Sequence, residues 1–192
     1  KDFGHADGLD QTDYDEFQKR LPNELRSRVV SAEPLAIRWL ETRTEREMQF
    51  YPQLIRTTHA IIEEGFSERV IVPGVTTSDD VVWWFRQKIR DLGYDTWFHP
   101  TVDIQRADPD NKEAQRSFSS RPKNDVILPG DLIHVDIGIT YLRLNTDIQQ
   151  HAYILRPGET SVPESIKTAF AKANRLQDIL TSQFKTGVTG NQ

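Results

Sequence analysis

LPGDLIHVDIGITYLRLNTDIQQHAYIL, residues 128–155, is the stretch whose reading decides the fold. Two β-rich runs flank a centre near Tyr141 and Leu142 that has no standard turn sequence. Strand side chains alternate between faces. In the first run Ile133, Val135 and Ile137 share one face, and His134 and Asp136 the other. In the second, Ile148, Ala152 and Ile154 share a face interrupted by Gln150, opposite Asp147, Gln149 and His151. Each strand thus has one mainly apolar face and one face of carboxylates and imidazoles. Directly opposed residues of antiparallel strands project to the same side, with Cα atoms about 4.5–5.5 Å apart. If Asp136 opposes Asp147, their carboxylates converge. Two such groups repel, and one takes up a proton unless a cation intervenes. Carboxylate oxygens are hard ligands suited to Mg, Mn and similar ions. The plain alternative is an antiparallel sheet with one solvated face, and the pattern alone leaves both readings open.

Upstream, residues 1–20 are polar and acidic and read as a linker or the remnant of a preceding region. LAIRWL, residues 35–40, reads as a short strand. The following 24 residues, 42–65, read as a helix. Thr44 and Glu47 form its capping-box signature, Pro52 marks a kink or late start, and Gly65 marks its end. Thr77 with Asp80 opens a second helix striped by Val81, Trp84, Phe85, Ile89 and Leu92 and ended by Gly93. Trp83 and Trp84 are expected in the core. DTWFHPTVDIQR, 95–106, reads as a strand, and 107–124 as a long polar loop. A last helix is expected over roughly 163–184, with Ile166, Phe170, Ala173, Leu176 and Leu180 on one face. Gly-Val-Thr recurs at 74–76 and 187–189, an echo that would mark an internal repeat.

The chain has 192 residues, no cysteine and a formal net charge of −5. Nucleic acid is not an expected partner, because no basic patch offsets that charge. No apolar run approaches the roughly 20 residues of a membrane span. The absence of cysteine excludes a disulfide scaffold and a thiolate zinc site. It leaves the compartment open. A soluble cytoplasmic protein is the expectation, with secreted or periplasmic placement still open.

The hairpin resembles the first metal-ligand hairpin of the pita-bread metallopeptidases, the family of methionine aminopeptidase, Xaa-Pro aminopeptidase, prolidase and creatinase. The shared pattern is Gly130-Asp131 before a strand, then Asp136-Ile137-Gly138, then Asp147 eleven positions after Asp136. VIVPGVTTSDDVVWWFRQKIRDLG, residues 70–93, resembles the family's helix start, and the likeness extends over roughly residues 35–192. It implies an α+β pita-bread fold: an antiparallel sheet with helices on one face, incomplete at the C-terminus. Residues 21–192 would be the N-terminal part of the catalytic domain. The resemblance further implies a metal-dependent exopeptidase, an Xaa-Pro aminopeptidase or dipeptidase. Two divalent ions (Mn, Co or Zn) would be held by two Asp, one His and two Glu. Asp136 and Asp147 are the implied metal ligands in this chain. The remaining ligands belong to the family's second half, so this chain alone is expected to be inactive.

The chain departs from the family pattern in several places. Leu144-Asn145-Thr146 stands where the family has Gly-Tyr before the second Asp, and Gln149-Gln150-His151 where it has Thr-Arg-Thr. The family's substrate-contacting His has no counterpart between residues 105 and 133. His99 and His151 are the candidates for that catalytic role. His134, Gln149 and His151 are candidates to line the cleft. His5 and His59 are expected to be surface or packing residues. A peptide substrate and a homodimer follow from the resemblance. A creatinase-like C–N hydrolase and a metal-free peptide- or protein-binding module are the competing readings.

Overall fold

A computed structural model describes residues 9–106 and 125–188. The expected loop at 107–124, His5 and the last residues of the C-terminal echo lie outside the described residues. The chain divides into two compact units, residues 1–50 and 51–192.

The first unit is helical among its described residues: α1 (Gln11–Arg20), α2 (Asn23–Arg26), α3 (Glu33–Glu41) and α4 (Glu45–Met48). One expectation is corrected here, the strand over residues 35–40. Residues 11–20, part of the stretch read as a linker or a remnant of a preceding region, form a helix. The acidic residues that suggested a linker cap and charge its start: the Asp13 N–H donates to Asp10 Oδ1 at 3.0 Å. Lys19 and Arg20 close the last turn. Both ends therefore complement the helix dipole. LAIRWL is also helical, within α3. A run of six apolar-rich residues does not separate period 2 from period 3.6, and Pro34 in the first turn presets helical φ.

The second unit runs α5 (Tyr51–Gly65), α6 (Ser78–Asp91), β1 (Asp95–Thr96), β2 (Thr101–Gln105), β3 (Leu132–Ile137), β4 (Ile139–Tyr141), β5 (Leu144–Asn145), β6 (Ile148–Tyr153) and α7 (Glu164–Thr181). The capping boxes at Thr44/Glu47 and Thr77/Asp80 are both present. The single helix expected over 42–65 is divided. Pro52 sits in the first turn of α5, where its missing N–H has no partner to lose. Gly65 is the last residue of α5 without the positive φ of a glycine cap, and its lack of a side chain serves packing instead. A Cβ there would strike the Phe85 ring, whose Cζ would lie 2.6 Å away, so glycine lets α5 and α6 approach.

One antiparallel sheet has the order β2-β3-β6, and a second has the order β1-β4-β5. The expected strand over 95–106 is thus two strands in different sheets. Helices α5 and α6 cover the apolar face of the first sheet. Val102, Ile133, Val135, Ile137 and Ile148 join Leu54, Ile61, Ile62, Val81, Phe85 and Ile89 in one buried core. Trp84 packs against this core, whereas Trp83 is 61% exposed, correcting its expected placement. Leu92 is also exposed. Helix α7 has no buried residue, so its apolar stripe is not part of the core.

The hairpin turns at Leu142 and Arg143, both with positive φ (50° and 66°). That is the pattern of a two-residue type I′ turn, built without its usual Asn or Gly. The echo at Gly74 and Gly187 extends to conformation. Their φ values are +85° and +87°, and Val75 and Val188 each donate to the carbonyl three residues back.

Gly130-Asp131 anchors the hairpin. Asp131 is buried and accepts from Arg106 Nε at 2.7 Å and Nη2 at 2.8 Å, and from the Leu128 N–H at 2.7 Å. Asp131→Ala removes the acceptor of the Leu128 N–H and of two Arg106 donors; Arg106 is 43% exposed and keeps its bond to the Val126 carbonyl, so the expected cost is about 1–2 kcal/mol. A urea unfolding midpoint unchanged from wild type would refute this role.

Candidate metal centre

Two rows of polar side chains cross one face of the β2-β3-β6 sheet. Asp103 pairs with His134, which pairs with His151. Thr101 pairs with Asp136, which pairs with Gln149. Ile137 pairs with Ile148 and Thr140 with Asn145, so an unbroken register sets Gly138 across from Asp147. Asp136 therefore does not directly oppose Asp147, as the sequence reading supposed. The two are diagonal neighbours on one face, a separation of about 7–8 Å between Cα atoms that side chains can bridge.

The carboxyl groups still come together. Burial holds the Asp136 carboxyl above its ordinary value, and the nearby Asp147 carboxylate pushes it further up. His134 acts against both. Asp136 Oδ1 is buried with no hydrogen-bond partner, while Oδ2 accepts from Gln149 Nε2 at 3.4 Å. Asp147 is exposed and faces the open side. At Gly138, a Cβ would meet the Thr146 carbonyl and the rings of Phe98 (2.9 Å) and Trp97 (3.2 Å). Glycine lets those rings close one side of the pair.

An unpartnered carboxylate oxygen beside a second carboxylate fits a divalent cation. The two oxygens are hard donors, and a shared positive charge removes their repulsion. Among the described residues, no three His, Cys, Asp or Glu side chains form a ligand group. The pair therefore supplies only part of a coordination sphere.

His134 and His151 lie on the same face, with ring centroids 4.8 Å apart. His134 Nε2 is 3.0 Å from Gln149 Oε1, and Nδ1 is 3.6 Å from Asp103 Oδ2. Burial holds Asp103 above its ordinary value, partly offset by His134. His151 lies against Phe170 of α7, and burial followed by the His134 charge holds its pKa down. His99 stands elsewhere. Its Nδ1 is 2.8 Å from Arg86 Nη1, and its ring packs edge-on to Trp83. Asp103 escaped the sequence reading. The signal was available, because Thr101, Asp103 and Gln105 alternate with Val102 and Ile104. The stretch was read as a strand without asking what its polar face carries.

Helices on one face of an antiparallel sheet are the architecture expected of a pita-bread fold. The solved structures similar to this chain bear that out. Prolidase from Thermococcus sibiricus aligns with a TM-score of 0.62 at 16% identity, over 88% of this chain and 45% of its own. X-Pro aminopeptidase from Thermotoga maritima aligns at 0.56 and 17% identity, over 79% and 41%. Prolidase from Pyrococcus furiosus aligns at 0.52 and 17% identity, over 76% and 42%. The chain thus spans less than half the length of these proteins. No protein-family model matches the sequence, and no curated protein matches it.

Asp136→Asn is expected to raise the thermal midpoint of the metal-free protein, because it removes one member of a repelling pair. It is also expected to abolish any rise produced by Mn²⁺. A metal-free midpoint below wild type would contradict the repulsion. A second expectation concerns pH. The unfolded-state pKa of His151 is about 6.5, and its folded value is lower, so the unfolded chain binds more protons between the two. Its contribution to stability is complete above pH 6.5 and is lost as pH falls through the lowered value. The raised carboxyls of Asp103 and Asp136 act in the opposite sense, so the check is a difference: as pH falls from 7.5 to 5 the urea midpoint of wild type should drop relative to that of His151→Gln.

Proposed function

We propose that this chain carries one part of the metal centre of a metal-dependent exopeptidase of the Xaa-Pro aminopeptidase or prolidase type. The observation that carries the reading is the convergence of Asp136 and Asp147, with Asp136 Oδ1 buried and unpartnered. The fold supports it, since the similar solved structures are prolidases and X-Pro aminopeptidases. So does the hairpin motif, whose family resemblance assigns metal-ligand roles to the same two residues.

Asp136 and Asp147 would hold the cation jointly, and side chains outside the described group would complete its shell. When bound, a divalent ion supplies Lewis-acid polarisation of a scissile carbonyl and a lowered pKa for a coordinated water. The chain's own residues set the conditions for that. Burial on the β3 side keeps water from Asp136 Oδ1. Exposure leaves Asp147 reachable from the open face, where a peptide would approach. Trp97 and Phe98 close the flank beside Gly138. In the resembled family the complete site takes two ions, Mn, Co or Zn, and a peptide substrate. Both are part of this proposal, as is homodimeric assembly.

A second reading has one observation in its favour. Gln149, which stands in place of the family's Thr, makes a hydrogen bond to Asp136. A binding module without metal would use such a group to satisfy the carboxylate.

Metal analysis of the full-length protein, with hydrolysis assays on an X-Pro dipeptide series, separates the two. The enzyme reading expects bound divalent metal and X-Pro cleavage, with Asp136→Asn and Asp147→Asn each lowering kcat/KM by at least about 100-fold, roughly 2.7 kcal/mol of transition-state stabilisation. Peptide binding without metal uptake or cleavage would establish the module instead.

A further inference from the structure

His134 and Gln149 form a short chain of hydrogen bonds that ends on Asp136, with Asp103 beside the far edge of the imidazole. Asp103 Oδ2 lies 3.6 Å from His134 Nδ1. His134 Nε2 lies 3.0 Å from Gln149 Oε1. Gln149 Nε2 lies 3.4 Å from Asp136 Oδ2. Charge fixes the direction of the amide. Were it reversed, its oxygen would face the Asp136 carboxylate. With the amide NH₂ toward Asp136, its oxygen accepts, so His134 donates from Nε2. The imidazole is buried, and Asp103, itself only 8% exposed, faces its Nδ1 side at 3.6 Å, beyond hydrogen-bond reach. The pairs Asp103–His134 and Asp136–Gln149 are also opposed in the sheet register, so the backbone sets their spacing.

We propose that this arrangement is a positioning device. His134 holds the Gln149 amide, and the amide commits Asp136 Oδ2, which leaves Oδ1 as the atom presented to a cation. Neither His134 nor Gln149 is a ligand or a catalytic residue. They act through Asp136 by restricting its rotamer, so that less freedom is lost when metal binds. Gln149 and His134 on the polar face of the sheet gain a role. This inference rests on the metal reading above for its purpose, but the hydrogen-bonded arrangement stands or falls separately.

Two measurements on the full-length protein test it. The first is the side-chain amide signal of Gln149 by ¹H–¹⁵N NMR without metal. Held as described, its two protons are dispersed from the free-glutamine position in wild type, and they collapse toward it in Asp136→Leu and in His134→Leu. A free-glutamine signal in wild type overturns the proposal whether or not metal binds. The second is Mn²⁺ affinity by calorimetry. Gln149→Leu is the safe variant, because that side chain is exposed and its loss does not threaten folding. It is expected to weaken Mn²⁺ about 10-fold. His134→Leu should weaken it similarly, and the double variant no further, since both break one chain. His134→Gln, which still donates an amide N–H to Gln149 Oε1, should restore most of the affinity. Unchanged affinity in Gln149→Leu, or full additivity in the double variant, overturns the positioning role. A dispersed Gln149 signal in a wild type that takes up no Mn²⁺ keeps the hydrogen-bonded arrangement but refutes both the positioning role and the metal reading.

Discussion

Everything at the candidate centre depends on one packing constraint. Ile133, Val135 and Ile137 are completely buried against α5 and α6. Alternation along β3 then leaves His134 and Asp136 no face but the other one. A slip of one residue would drive Asp136 into a core that contains Phe85 and Ile89, and a charge there without a partner costs several kcal/mol. The core therefore sets which face carries the chemistry. The same constraint reaches the neighbours, because opposed residues share a face. Asp103 and His151 are carried to the side of His134, and Thr101 and Gln149 to the side of Asp136.

Electrostatic cost accumulates on that face and stays there because the core pins it. The Asp136 carboxyl is raised by burial and by Asp147, Asp103 by burial, and His151 is lowered by burial and by His134. Three perturbed groups on one sheet surface, beside an unpartnered carboxylate oxygen, form the kind of cluster that binding and catalytic sites share. By contrast, Gly130-Asp131 belongs to structure. Asp131 spends both oxygens on Arg106 and on the loop entering β3, which fixes where that strand begins and hence its register.

The open side of the sheet is where the chain is least self-sufficient. Helix α7 touches that side through Phe170 on His151, yet none of its residues is buried. The carboxylate pair is likewise partial, since no group of three ligating side chains forms among the described residues. Both facts agree with a chain that spans less than half of the solved proteins sharing its fold.

Much was legible in the sequence because period and capping are local. The capping boxes at Thr44 and Thr77, the α6 stripe and the alternation of β3 and β6 all came from residues within a few positions of each other. The choice of Asp136 and Asp147 came instead from a resemblance to a family motif. What failed was also local in cause. LAIRWL was too short for its period to be decided. Tertiary structure alone decided the rest. The register that sets Asp136 against Gln149 depends on a type I′ turn at Leu142-Arg143, which has no sequence signature. The partnership of Asp103 with His134 joins strands 31 residues apart, from Asp103 to His134. Residues so far apart in the chain meet only when the sheet closes, and no short-range pattern encodes which of them will face each other.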